Sequence, residues 1–161
     1  MSSLNLNLAQ LDAARRECLQ LVNQRAWVSA AAAAIPLPGL DVGADVAIMT
    51  RMIEQINEKF GLREQDVARL DAQTRQRLLV IITSLGSSLI GRYASKELII
   101  LALKRVGVRM ASKQAAKFVP LLGTAIAAGV SYGAMRYLGN AHIEDCYRVL
   151  RQAIAEADSS A

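Results

Sequence analysis

The run FVPLLGTAIAAGVSYGAM, residues 118–135, carries no charge over eighteen positions, opens on a proline and is rich in small side chains. At about 1.5 Å of rise per residue, a helix of that length approaches the roughly 30 Å hydrocarbon thickness of a bilayer. A chain that contains it has two ways to satisfy it. The run lies in lipid, or it forms the buried central helix of an all-α bundle.

Composition favours helices in either case. The chain has 161 residues, enough for one domain with a sizeable core. Its hydrophobic fraction is 53% and its aromatic fraction only 4%, so the apolar content comes from Ala, Leu, Ile and Val. That mixture suits closely packed helices better than sheets. Pro36, Pro38 and Pro120 are the three prolines, and they sit in two local turns with long uninterrupted stretches between. The expected fold is all-α: a bundle of about five to seven helices with two prolyl turns and one or two very apolar helices. It forms one domain over 1–157, with a frayed tail at 158–161.

Charge is distributed unevenly. The net charge is +5, yet residues 98–143 hold no carboxylate and six cations, which accounts for the whole excess. Five of these, Lys104, Arg105, Arg109, Lys113 and Lys117, come just before the apolar run. They form a basic face fit for an anionic membrane or a protein partner, each cation contributing about 1 kcal/mol close to acidic lipid. An ordinary solvated helix face is the plainer alternative. Residues 1–25 are polar and include Asp12, Arg15, Arg16 and Glu17, so no cleavable leader is expected and the chain is expected to start in the cytoplasm. Cys18 and Cys146 belong to no ligand spacing, which suits a reducing compartment.

Periodicity places the elements. Leu8, Leu11, Leu19 and Val22 recur at helical intervals in a first helix over 8–34. Pro36, Pro38 and Gly39 stop it, and Asp41 is placed to cap a second helix that ends at Gly61. The apolar set Val42, Val46, Met49, Ile53, Ile56 and Phe60 makes that helix amphipathic. A short polar helix or turn over 62–70 precedes a helix capped by Asp71, which is apolar over 78–90. After a further apolar stretch at 98–103 and the basic segment, Pro120 and Gly123 open the most apolar helix. A break is expected near Gly139 and Asn140, followed by a last helix to about Ala157. IPLPG at 35–39 and VPLLG at 119–123 echo each other weakly, as local helix-turn-helix chemistry alone would make them do.

Residues able to do chemistry are few. His142 is the single histidine, which removes His-rich metal sites and makes a hydrolytic triad hard to build. No GxxxxGK[ST] phosphate loop and no strand-GxGxxG-helix pattern occur. Asp41 and Asp45 share one face of a helix start, as a cap and a first-turn acid or as a cation or proton site. The structural reading is preferred. Gly129 and Gly133, extended back to Ala125, form a small-residue stripe, as do Gly39, Gly43 and Ala47, and both suit helix packing. Nucleic acid is not expected as a partner, because no recognition motif accompanies the cations and aromatic stacking surface is scarce.

Two blocks, SAAAAAIPLPGLDVGADVAIMTRMIEQINEKFGL and AAKFVPLLGTAIAAGVSYGAMRYLGNAHIEDC, resemble the YcjF-like family of bacterial domains of unknown function. Members of that family occur alone or on the C-terminal side of GTPase domains. The first block is also similar to the helical region of immunity-related, dynamin-like GTPases. The likeness covers residues 26–146. It implies an all-helical, membrane-associated module serving a GTPase, and it supplies no catalytic residue. The GTPase half of such proteins has no counterpart in this chain.

The expectation is therefore a non-enzymatic helical module, without cofactor or metal, on the cytoplasmic face of a bacterial inner membrane. Residues 78–90 and 118–138 would form its apolar hairpin or core, and 104–117 would meet acidic lipid. Its alternative is a soluble interaction module whose apolar helices are all internal, with a GTPase or another protein as partner. Self-association is compatible with both. A pore lined by Asp41 and Asp45 is the third and least favoured arrangement.

Overall fold

A computed structural model of the chain describes residues 7–34, 40–85 and 120–159. The described residues form helices and turns and contain no strand, as an all-α chain requires. Five helices follow in order: α1 (Leu8–Ala33), α2 (Leu40–Phe60), α3 (Glu64–Ala68), α4 (Ala72–Ser84) and α5 (Pro120–Asp158). The expected prolyl turn at 35–39 and the stretches at 98–117 lie outside the described residues.

Local chemistry accounts for the helix ends. Gly61 takes φ of +66°, the left-handed conformation that glycine adopts without steric cost. Around it the Leu62 N–H donates to the Asn57 carbonyl at 2.8 Å and the Gly61 N–H to that of Glu58 at 3.1 Å. This pair of bonds satisfies carbonyls that the end of α2 leaves open. Asp71 caps α4 by accepting from the Thr74 N–H at 3.0 Å, and those backbone donors hold its carboxyl below the usual range. Pro120 occupies the first position of α5, where a missing N–H removes no helical bond.

Two expectations need correction. In α1 the buried stripe is Leu11, Cys18, Val22, Ala26, Ser29, Ala30 and Ala33, whereas Leu8 and Leu19 are exposed. At about 100° per residue, Cys18 falls within roughly 20° of Leu11 while Leu19 stands some 80° away, so the stripe passes through the thiol. In the C-terminal region there is no break at Gly139: α5 is continuous for 39 residues. A Cβ on Gly139 would lie 2.7 Å from Val22 Cγ2 and 2.9 Å from Met52 Cε. The glycine serves a close approach between helices, not a helix end.

The helices divide into two compact units. The first takes residues 8–19 of α1, 53–60 of α2, all of α3 and α4, and 141–158 of α5. Its buried side chains are large, among them Leu11, Ile53, Ile56, Phe60, Leu78, Ile143 and Leu150. Each contributes about 1.5–3 kcal/mol by leaving water. The second takes residues 20–33 of α1, 40–52 of α2 and 120–140 of α5. Its interior is smaller in grain, with Ala26, Ala30, Ala33, Ala134 and Gly139 beside Val22, Met49, Met52 and Met135.

No described helix is long and apolar enough to cross a membrane. The apolar start of α5 runs straight on into Arg136, His142, Glu144 and Asp145, and α4 ends at Ser84. The apolar hairpin or core expected from 78–90 and 118–138, of which 86–90 and 118–119 lie outside the described residues, therefore finds no support as a membrane span in these helices.

Replacing Gly139 with alanine should destabilise the protein by about 1–3 kcal/mol in denaturant titrations, because branched Val22 has little room to yield. Gly129→Ala in the same helix, where an added Cβ meets nothing within 4 Å, should instead stabilise by about 0.5–1 kcal/mol.

Candidate functional site

Two polar centres lie inside the protein, one in each unit, and one face of the second unit is open. In the second unit Asp45, half-buried one turn into α2, accepts hydrogen bonds from Ser29 on α1 and from Ser131 on α5. The Ser131 Oγ lies 2.8 Å from Oδ2, while Ser29 holds Oδ1 and is itself fully buried. One carboxylate thus ties three helices together. Hydrogen bonds to a charged group contribute about 1.5–3 kcal/mol, and a buried hydroxyl left without one costs about 1–3 kcal/mol. Asp45, expected as a first-turn acid, lies one turn into α2 and is held there by tertiary contacts. The hydroxyls that meet it are separated from it by 16 and 86 residues, so no local pattern announces them.

In the first unit Asn57, His142 and Cys146 converge. His142 Nε2 donates to Asn57 Oδ1 at 2.8 Å, the Cys146 thiol points to the same oxygen at 3.8 Å, and Cys146 Sγ lies 3.6 Å from Nε2. The residue types are those of a thiol nucleophile with its base, but the chemistry is different. Burial pulls His142 down to about 4 and pushes Cys146 well above its ordinary value, so both stay neutral. Nε2 already carries the proton it gives to Asn57 and cannot take one from sulfur. All three residues are buried, so no substrate reaches them. This is an internal hydrogen-bonded centre. With no break at Gly139 and Asn140, His142 lies in mid-helix with 1% exposure and not at the start of a last helix. Cys18 is likewise buried, free and pushed up to about 11.

The open face joins α1 and α5 in the second unit. Trp27 and Tyr132 stack with ring centroids 4.9 Å apart at 51°. The Tyr132 hydroxyl donates to Asn23 Oδ1 at 3.1 Å and accepts from Arg136 at 3.2 Å, and the guanidinium lies 5.7 Å from the Tyr132 ring centre. Ala125 and Gly129 continue this face of α5 and are exposed. A Cβ added at Gly129 would meet nothing within 4 Å, whereas Gly133 is half-buried.

The remaining expected residues divide simply. Asp41 and Gly43 lie in the first turn of α2 and Gly123 in that of α5. Pro36, Pro38, Gly39 and the cations Lys104, Arg105, Arg109, Lys113 and Lys117 lie outside the described residues. An open groove of about 350 Å³ in the first unit is lined by the amides of Gln73, Gln76 and Gln152 together with Arg77 and Glu156. No metal-binding group of His, Cys, Asp and Glu is found among the described residues.

Removing the central carboxylate with Asp45→Ala should lower stability by about 2 kcal/mol or more in denaturant titrations, and Asp45→Asn by less, since an amide still meets both hydroxyls. His142 generates a pH dependence. Its folded value of about 4 lies below the ordinary 6.5, so the unfolded chain takes up the proton first. Stability is full above pH 6.5, falls as pH drops toward 4 and levels off below. The loss is about 3 kcal/mol at roughly 1.4 kcal/mol per pH unit. Denaturant titrations between pH 7 and 4.5 should show the slope, and His142→Gln should flatten it.

No protein-family model matches the chain, and no solved structure matches it significantly. The YcjF-like resemblance is accordingly not supported by a family match. The chain is 24% identical over 165 residues to interferon-inducible GTPase 5 of Bos taurus, across 99% of this chain and 36% of that protein. To the Rattus norvegicus protein of the same name it is 24% identical over 164 residues, across 99% of this chain and 35% of the relative. The chain thus spans about a third of the length of the curated relatives it matches, and its similarity to GTPase-related sequence runs from end to end.

Proposed function

We propose that the chain is a non-enzymatic helical module that works with a GTPase domain by binding it and does not itself take up nucleotide. The end-to-end match carries this reading. Essentially all of this chain aligns with part of a GTPase, yet the chain holds no GxxxxGK[ST] loop to cradle phosphates. On this reading the shared portion is a helical one without a phosphate site. The bundle on this reading has five to seven helices over the whole chain, and its polar centres at Asp45 and Asn57–His142 serve the interior. The GTPase domain lies on a separate chain or on another part of the same polypeptide.

Titration of fluorescent GDP and GTP into the purified chain should give no saturable signal, and incubation with GTP no phosphate release. In detergent-free buffer the chain should elute as a sharp monomer or dimer. Affinity purification from the native source should enrich a GTPase. Nucleotide binding by the chain alone, or a set of co-purified proteins without any GTPase, overturns the proposal.

A further inference from the structure

We propose that the open face of α1 and α5 around Trp27 and Tyr132 is self-complementary and docks a second copy of this chain about a two-fold axis. Such a pairing goes beyond the GTPase reading above and is independent of it. Along α1 the exposed positions 20, 23, 24, 27, 31 and 34 fall on one side of the helix, as do 125, 129, 132 and 136 along α5. Val22 lies against Gly139 and Trp27 against Tyr132, so the two helices run antiparallel and residues 31 and 34 come level with 129 and 125. The face thus has two parts. One is a pair of rings, with Trp27 63% exposed, and the other is a shallow recess floored by Ala31, Ala34, Ala125 and Gly129, all exposed.

A projection beside a recess on one face is what a two-fold contact needs, because the same patch must serve both copies. Four residues separate Trp27 from Ala31, about 6 Å along the helix axis. A two-fold axis between them sets the rings of each copy over the recess of the other. Stacking holds Trp27 against Tyr132, whose hydroxyl is fixed between Asn23 and Arg136, so docking loses little side-chain freedom. The small residues of the recess let the facing helices come close.

Charge admits this occupant. Among the described residues at these positions the one charged group is Arg136, and its guanidinium is engaged by the Tyr132 hydroxyl and ring. In the pair the two Arg136 groups stand on opposite sides of the axis, about 18 Å apart along it, beyond the roughly 8 Å screening length. A face poor in charge with tryptophan and tyrosine at its centre has the composition of an interface core. A lipid surface would strip water from Gln20 and Gln24 and leave the recess unfilled. The area suits a weak dimer. Residues 20–34 run about 21 Å and two helices side by side span about 20 Å, so a pair of copies covers roughly 800 Å² in flat projection and more once side-chain relief is followed. That is the low end of specific interfaces, where dimers dissociate in the micromolar range.

Sedimentation velocity of the full chain from about 1 to 100 µM reads the mass, and the fluorescence of Trp27, the chain's one tryptophan, reads the face. Mass should rise from monomer toward dimer across that range, with Trp27 emission moving to the blue and acrylamide quenching falling in step. Gly129→Leu fills the recess and Ala31→Glu charges it. Each, checked for native circular dichroism, should weaken the dimer by about tenfold or more, while Tyr137→Ala, exposed on another side of α5, should leave it unchanged. A chain that stays monomeric throughout overturns the proposal, as does a dimer that forms with no change at Trp27, whether or not the variants fold. A dimer that both folded variants leave intact overturns it as well. Phosphatidylcholine vesicles with and without phosphatidylserine are titrated in parallel. A blue shift on vesicles in a chain that stays monomeric without them assigns the face to lipid and overturns the two-fold pairing too.

Discussion

The Asp45 carboxylate is the constraint on which the second unit depends. The interior around it is built of alanine, glycine and methionine, residues that bury little area apiece or adapt to many shapes. Such an interior defines helix positions weakly. Two hydroxyls converging on one carboxylate define them well, because a shift of α1 or α5 along its axis strands a buried polar group. Trp27 lies two residues before Ser29, and Tyr132 follows Ser131 directly. The same link that orders the inside therefore sets the spacing of the rings outside.

The first unit reaches order by another route. Its large aliphatic side chains and Phe60 interlock by shape, and the Asn57–His142–Cys146 centre adds direction to a core that is already well filled. Surface ion pairs such as Lys59–Glu17 at 2.6 Å and Arg15–Glu144 decorate this unit. They are exposed and screened by water, so they contribute little beside the buried groups.

Much of this was legible in the residues and some was not. The three-four spacing of Val46, Met49, Ile53, Ile56 and Phe60, the Gly61 stop and the Asp71 cap are local signals, and the structure follows each of them. Gly139 reads as a helix break because glycine has two meanings in a helix, and only Val22 and Met52, distant in sequence, show which applies. The stripe of α1 reads one residue away from its true position because leucine outweighs cysteine in any hydrophobic count, although a buried thiol packs well. The serine partners of Asp45 and the Asn57 partner of His142 come from other helices, so their pairing is a property of tertiary packing. The open face was invisible for the same reason: Gly129 reads as a contact surface whether or not anything covers it.

Cys18 and Cys146 have a consequence of a different kind. Both sulfurs are shut away from solvent and held in the unreactive thiol form. An alkylating reagent can modify them only when the surrounding helices part, after which reaction is fast. The rate at which the native protein loses its thiols is therefore a clock for transient opening of that unit, and it runs without any introduced label.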